Sequence, residues 1–100
     1  MKSLPDRFHA AMLQIYQTAL EHGYRATYFN RMVDEHGGVE AAHRLLTDAD
    51  AQPGLFRLWE LDLLDSSVEA LVIQDQFQPL FSEQEITEAR RRLEELGYFD

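Results

Sequence analysis

The sequence predicts an all-α protein: a compact, irregular bundle of five or six helices that forms one domain over residues 1–100. Apolar residues recur at intervals of three and four along most of the chain, and no long stretch alternates apolar and polar residues as a strand would. Capping residues and glycines divide this pattern into short segments. The apolar fraction, 45% of the residues, is sufficient for one core.

The first helix is expected from about Pro5 to His22. Ser3 or Leu4 would start it, and Gly23 would end it. Proline is tolerated in the first turn, because the N–H that it lacks would have no partner there. One apolar stripe would face the core: Leu4, Phe8, Ala11, Met12, Ile15, Ala19 and Leu20.

The Gly37-Gly38 pair is expected to bend the chain between a second and a third helix. The second helix would run from about Thr27, its N-cap, to His36, and the third from Val39 to about Thr47. Glycine adopts backbone conformations that other residues avoid, so the pair allows a sharp change of direction. The two helices would therefore form a hairpin or corner.

The segment Thr47–Gly54 is the one clear loop in the sequence, since it is rich in acidic and turn-forming residues. A short buried helix is expected after it, with a break near residues 62–65. This helix would carry five large apolar side chains: Leu55, Phe56, Leu58, Trp59 and Leu61.

Serines are expected to begin the last two helices. Ser66 or Ser67 would cap a fifth segment from Val68 to about Gln76. The Ser82–Glu85 segment has the Ser-x-x-Glu pattern of a capping box, and Gly97 would end the final helix. This capping box is the most specific local signal in the chain.

The composition limits the kinds of site that the chain can form. Because it contains no cysteine, disulfides, thiolate zinc sites and cysteine nucleophiles are excluded. Eighteen acidic and nine basic side chains give a net charge of −9, which opposes binding to nucleic acid or to an anionic membrane. We see no signal peptide and no membrane span, and we expect a cytoplasmic protein.

The sequence favours neither a metal site nor an active site. Glu40 and His43 form one Glu-x-x-His pair, whereas di-iron helix bundles use two. The serines lie where helix capping accounts for them, and no Gly-x-Ser-x-Gly elbow or glycine-rich phosphate loop occurs. We therefore predict that the protein is not an enzyme and holds no cofactor. A small metal-dependent hydrolase built on Glu40 and His43 ranks last among the alternatives.

The run Arg90-Arg91-Arg92 is the only cationic cluster in the sequence. On a helix, Glu88 with Arg92, Arg90 with Glu94, and Arg91 with Glu95 would each be four residues apart and could form ion pairs. The alternative function is a nucleic-acid-associated accessory factor of a DNA-acting or defence system, although the acidic charge disfavours it. It would use four arginines: Arg31, Arg90, Arg91 and Arg92.

Large apolar side chains are dense between Leu55 and Phe81, and two more lie at the C-terminus. Because so small a domain cannot bury all of them, some would form an exposed patch that binds another protein or a second copy of the chain. The predicted function is thus a non-catalytic protein-interaction or accessory domain. Five residues are candidates for the contact: Trp59, Leu63, Phe77, Tyr98 and Phe99.

Several segments together resemble a small all-helical domain family of bacteria, made up of hypothetical proteins that occur alone or appended to larger proteins. The segments are residues 23–27, 29–33, 36–42, 58–60, 68–72, 79–81 and 96–98. The resemblance spans nearly the whole chain and implies the fold, but no activity. Relatives carry an Arg-Gly-Arg-Leu-Asp-like stretch after Trp59, where this chain has the acidic and aliphatic residues 61–65. An anion-binding role of that stretch would therefore not extend to this chain.

Overall fold

Six α-helices make up the computed structural model of the protein, in the residues that it describes, 2–48 and 52–99. Two short 3-10 turns, Leu64–Ser66 and Gln78–Leu80, flank the fifth helix, and no strand occurs in these two ranges. The prediction of an all-α bundle is confirmed. The helices are α1 (Leu4–Glu21), α2 (Thr27–His36), α3 (Gly38–Thr47), α4 (Gln52–Glu60), α5 (Val68–Val72) and α6 (Glu83–Glu95).

Helix α1 lies at the centre of the bundle and contacts α2, α3 and α5. The Phe8 side chain is fully buried, and its ring meets the ring of Phe77 edge-on, with the centroids 5.1 Å apart. Phe81 lies against Phe8 from another side at 5.2 Å. The predicted apolar stripe of α1 is thus the inner face of the helix, except that Leu20, which the prediction includes, is exposed.

The corner between α2 and α3 depends on glycine for two separate reasons. Gly37 has a φ of 80°, a conformation that favours glycine. Gly38 lies against α1 so closely that an added Cβ would be 2.6 Å from the Cα of His9. The Gly38 N–H donates a hydrogen bond of 2.8 Å to Nδ1 of His9. His9 therefore satisfies a backbone donor at the start of α3, where the helix itself offers no partner.

Serine side chains begin three helices as the sequence predicts. Ser3 accepts a hydrogen bond at the start of α1, and Ser67 accepts one from Ala70 N–H at the start of α5. Ser82 and Glu85 form a complete capping box at α6. The predicted N-cap Thr27 is wrong, because Ala26 occupies that position and makes no side-chain hydrogen bond.

Two predicted boundaries differ from the structure. Helix α4 begins at Gln52, inside the segment predicted as a loop, with Pro53 in the first turn. The rest of that loop after Asp48 lies outside the described residues. Helix α5 ends at Val72 rather than near Gln76, since the chain then closes tighter turns with bonds between residues three apart.

Candidate binding surface

The C-terminal end of α4 turns back on itself around Asp62. The N–H of Leu63 donates to the carbonyl of Leu58 at 2.8 Å, and the N–H of Asp62 donates to the carbonyl of Trp59 at 3.0 Å. This is a Schellman motif, whose reversing residue is usually glycine. Asp62 fills the position here with a φ of 60°, and it is the only described residue other than glycine with a positive φ. A carboxylate is therefore held at the end of the helix.

Helix α6 ends in the same way around Gly97. The N–H of Tyr98 donates to the carbonyl of Leu93 at 3.1 Å, and Gly97 N–H donates to the carbonyl of Glu94 at 3.0 Å. Gly97 has a φ of 76°, which confirms its predicted role as the end of the helix. The turn directs the chain towards α4, and Tyr98 lines a pocket together with residues at the end of that helix.

The two helix ends line an open pocket of about 320 Å³. We call it the aromatic–acidic pocket, because an indole and a phenol line it together with two carboxylates. Its wall includes residues of both turns and of the connection between α4 and α5: Trp59, Asp62, Asp65, Leu96, Gly97 and Tyr98.

Two further aromatic rings pack on the two that line the pocket. Trp59 is 43% exposed and meets the ring of Phe56 at a centroid distance of 5.1 Å. Phe99 is 48% exposed and meets the ring of Tyr98 at 5.2 Å. Burial raises the pKa of the Tyr98 hydroxyl above its ordinary value, and a hydrogen bond and the charge of Asp65 raise it further. Tyr98 is therefore in its neutral form at physiological pH.

The electrostatic character of the pocket is negative for two reasons. The carbonyl ends of α4 and α6 both point to this region, and each contributes a partial negative charge. Asp62 and Asp65 add carboxylates, and no described lining residue is basic. The carboxylates and the carbonyl ends of the helices carry charge of the same sign, so together they attract a cation. The pocket is thus suited to a positively charged group.

The structure brings together most, but not all, of the residues that the sequence predicted as a contact surface. Trp59 and Tyr98 line the same pocket, Phe99 packs on Tyr98, and Leu63 is half-buried in the turn after α4. The prediction that Phe77 belongs to a contact surface is wrong, because this side chain is 4% exposed and packs on Phe8 in the core. Its place in the sequence among other large apolar residues could not distinguish a core residue from a surface one.

Arg92 is not available to bind a ligand, because it is buried. Its Nη1 lies 3.1 Å from the carboxylate of Glu69, which is also buried, and its Nε lies 2.6 Å from Glu88. It also donates hydrogen bonds to the carbonyls of Leu45 and Leu46, at the end of α3. The expectation that Arg92 could contact nucleic acid is therefore corrected, because all its polar contacts are within the fold.

The other three arginines differ in their surroundings. Arg91 donates to Glu88 and Glu95 on its own helix, as the spacing predicts. Arg90 lies over the Phe99 ring, with its guanidinium carbon 5.9 Å from the ring centroid, rather than against Glu94 as predicted. Arg31 is exposed on α2. The predicted cationic run therefore does not act as one cluster.

Glu40 and His43 do not meet at a common site. Glu40 is paired with Arg44 at 3.4 Å, and His43 contacts Glu85 of the capping box. Although burial raises the pKa of the Glu85 carboxyl, the hydrogen bonds from Ser82 and His43 lower it below its ordinary value. Within the described ranges, no three acidic or histidine side chains are grouped as metal ligands would be.

The comparisons with known proteins add no relationship. No protein-family model matches the chain, and neither a curated protein nor a solved structure is detectably similar to it. The resemblance to the bacterial domain family stays a prediction. Among the described helices, none has the length and apolarity that a bilayer crossing requires.

Proposed function

We propose that this protein is a non-catalytic protein-interaction domain that binds a lysine- or arginine-bearing segment of a partner protein at the aromatic–acidic pocket. The observation that carries the proposal is the convergence of two helix C-termini and two carboxylates at a pocket that Trp59 and Tyr98 also line. A cationic side chain would place its charge between Asp62 and Asp65 and its aliphatic stem against Trp59.

The charge of the chain favours a different protein over a second copy of itself. Residues 55–100 contain 11 acidic and four basic side chains, so two such surfaces would repel each other. A basic segment would instead be attracted before contact, and its association would be slowed by salt.

Peptide titration of the full chain tests the proposal. Trp59 is the only tryptophan, so its fluorescence reports directly on the pocket. We expect a peptide with one central arginine between neutral residues to give a saturable change. The same peptide with citrulline, a neutral isostere, should bind about tenfold more weakly, since a loss of about 1.4 kcal/mol corresponds to that factor.

Three variants locate the binding. Asp62→Asn removes the charge and keeps a residue that tolerates a positive φ. It should lower the affinity for the arginine peptide but not the affinity for the citrulline peptide. Asp34→Asn, on the exposed face of α2, is its matched control and should change neither affinity. Trp59→Phe should lower the affinity for both peptides. Because this variant has lost the tryptophan signal, its binding is measured with a fluorescently labelled peptide.

Two results would overturn the proposal. Equal affinity for the arginine and citrulline peptides would remove the role of charge. A concentration-dependent dimer in light scattering, lost on Trp59→Phe, would assign the surface to self-association.

A further inference from the structure

A second cavity, lined mainly by apolar side chains, lies among the first five helices. Its volume is about 430 Å³, which is within the range of sites for small organic molecules. We call it the apolar cavity. It shares no described lining residue with the aromatic–acidic pocket, so the two are separate sites. Each of the five helices contributes buried or half-buried apolar side chains to its walls, among them Ile15, Phe29, Leu45, Leu55, Leu58 and Val68.

The two carboxylates in the described wall already have partners within the protein. Glu69 is almost fully buried, and its carboxylate lies 3.1 Å from Nη1 of Arg92, so these two charges compensate each other. Asp48 accepts a hydrogen bond of 2.6 Å from the Tyr28 hydroxyl. No arginine, lysine or histidine is among the described lining residues. An anionic ligand would therefore find no cation in this lining, and a cationic one would have to compete with the partners of the two carboxylates.

We propose that the apolar cavity binds an uncharged hydrophobic small molecule, of the size of a two-ring aromatic compound. Burial of apolar surface is favourable without any polar contact. Transfer of a charged group from water to apolar surroundings is costly unless the group is paired there. The apolar walls and the engaged carboxylates thus both favour a ligand without charge. This site goes beyond the proposed function, which concerns the aromatic–acidic pocket.

Displacement of Nile red from the full chain tests the ligand class. Nile red is an uncharged apolar dye, and we expect a saturable increase of its fluorescence with one site per chain. Naphthylmethanol, naphthylmethylammonium and naphthoate have the same rigid body but are neutral, cationic and anionic at neutral pH. Because the head group is short, its charge must enter with the rings. We expect the alcohol to displace the dye at a concentration at least about tenfold lower than either ion.

Variants that fill the cavity assign the binding to it. Ala26 is buried and lines the cavity, so Ala26→Leu should lower the dye affinity at least about tenfold. Gly54 also lines it, and a Cβ there would be 3.4 Å from the Tyr24 hydroxyl, so Gly54→Leu should lower the affinity without a clash. Ala10→Leu, on the exposed face of α1, is the matched control and should bind the dye as the wild type does. Circular dichroism distinguishes a filled cavity from a loss of fold.

Some results would overturn this proposal without affecting the proposed function. Dye binding that does not saturate, or that is the same in folded Ala26→Leu and Gly54→Leu, would mean that the cavity is not a ligand site. Displacement by either ion at a concentration as low as that of the alcohol would mean that the ligand class is wrong. The peptide titration at Trp59 does not depend on these results.

Discussion

Arg92 and Glu69 form an ion pair that is almost completely removed from solvent. Their side chains are 3% and 4% exposed, and the two charged groups are 3.1 Å apart. Burial raises the pKa of the Glu69 carboxyl, while its own backbone N–H and Arg92 oppose that effect. Because Arg92 also donates hydrogen bonds to the carbonyls of Leu45 and Leu46, the pair fixes α5 and α6 to the end of α3.

Removing one member of this pair should strongly destabilise the fold. We expect Arg92→Ala to lower the free energy of unfolding by about 3–5 kcal/mol, because it leaves a buried carboxylate and two backbone carbonyls without their donor. Arg90→Ala, on the exposed face of the same helix, should cost at most about 0.5 kcal/mol. Urea unfolding followed by circular dichroism measures both. Equal stability of the two variants would contradict the structural role of Arg92.

The same glycine-to-alanine substitution should have opposite effects in α3 and α4. At Gly38 the new Cβ would be 2.6 Å from the backbone of His9, and the helices must separate, which should cost about 1–3 kcal/mol. At Gly54 the nearest atom would be the Tyr24 hydroxyl at 3.4 Å, and the variant should gain up to about 1 kcal/mol in helix propensity. Thermal unfolding compares the two variants. Similar melting temperatures would exclude close contact at Gly38.

Acid should weaken the fold through Glu88. Hydrogen bonds from Arg91 and Arg92 lower the pKa of this carboxyl to about 2, although burial opposes them. A carboxyl whose pKa is lowered in the folded state stabilises the fold above its ordinary pKa of 4.5, and this stabilisation is lost as the pH falls towards 2.

The substitution Glu88→Gln isolates this effect. At neutral pH it should lower the free energy of unfolding by on the order of 2 kcal/mol, and the difference from the wild type should vanish as the pH falls towards 2. Glu94→Gln, exposed on the same helix, should give a difference that changes little with pH. A constant difference for Glu88→Gln across this range would show that its charge is not responsible.

Nucleic acid should not bind to the arginine run. Arg92 is buried, Arg91 is paired with two glutamates on its own helix, and Arg90 lies over Phe99. We expect no gel shift of duplex or single-stranded DNA even at low salt, where cationic contacts are strongest. A shift that is lost on Arg31→Ala and Arg90→Ala would contradict this expectation.

The sequence predicts the features that depend on neighbouring residues. The capping box of Ser82 and Glu85 and the end of α6 at Gly97 are set by residues within one or two turns, and both are confirmed. Asp62 is missed because an aspartate at the end of a helix does not indicate a Schellman motif as glycine does.

Contacts between residues distant in the chain could not be predicted. The Glu69–Arg92 pair and the His9–Gly38 hydrogen bond join residues 23 and 29 positions apart. Their partners depend on how the helices pack, which a periodic pattern does not specify. The pocket shared by Trp59 and Tyr98 was missed as a site for the same reason, although both residues were candidates for a contact surface.

Helix α4 contributes a wall to two cavities: Leu58 lines the apolar one, of about 430 Å³, and Trp59, the next residue, lines the aromatic–acidic pocket. A shift of this helix would therefore change the shape of both. If occupancy of the cavity changes the affinity of the pocket, thermodynamic linkage requires the pocket's ligand to change the affinity of the cavity by the same factor.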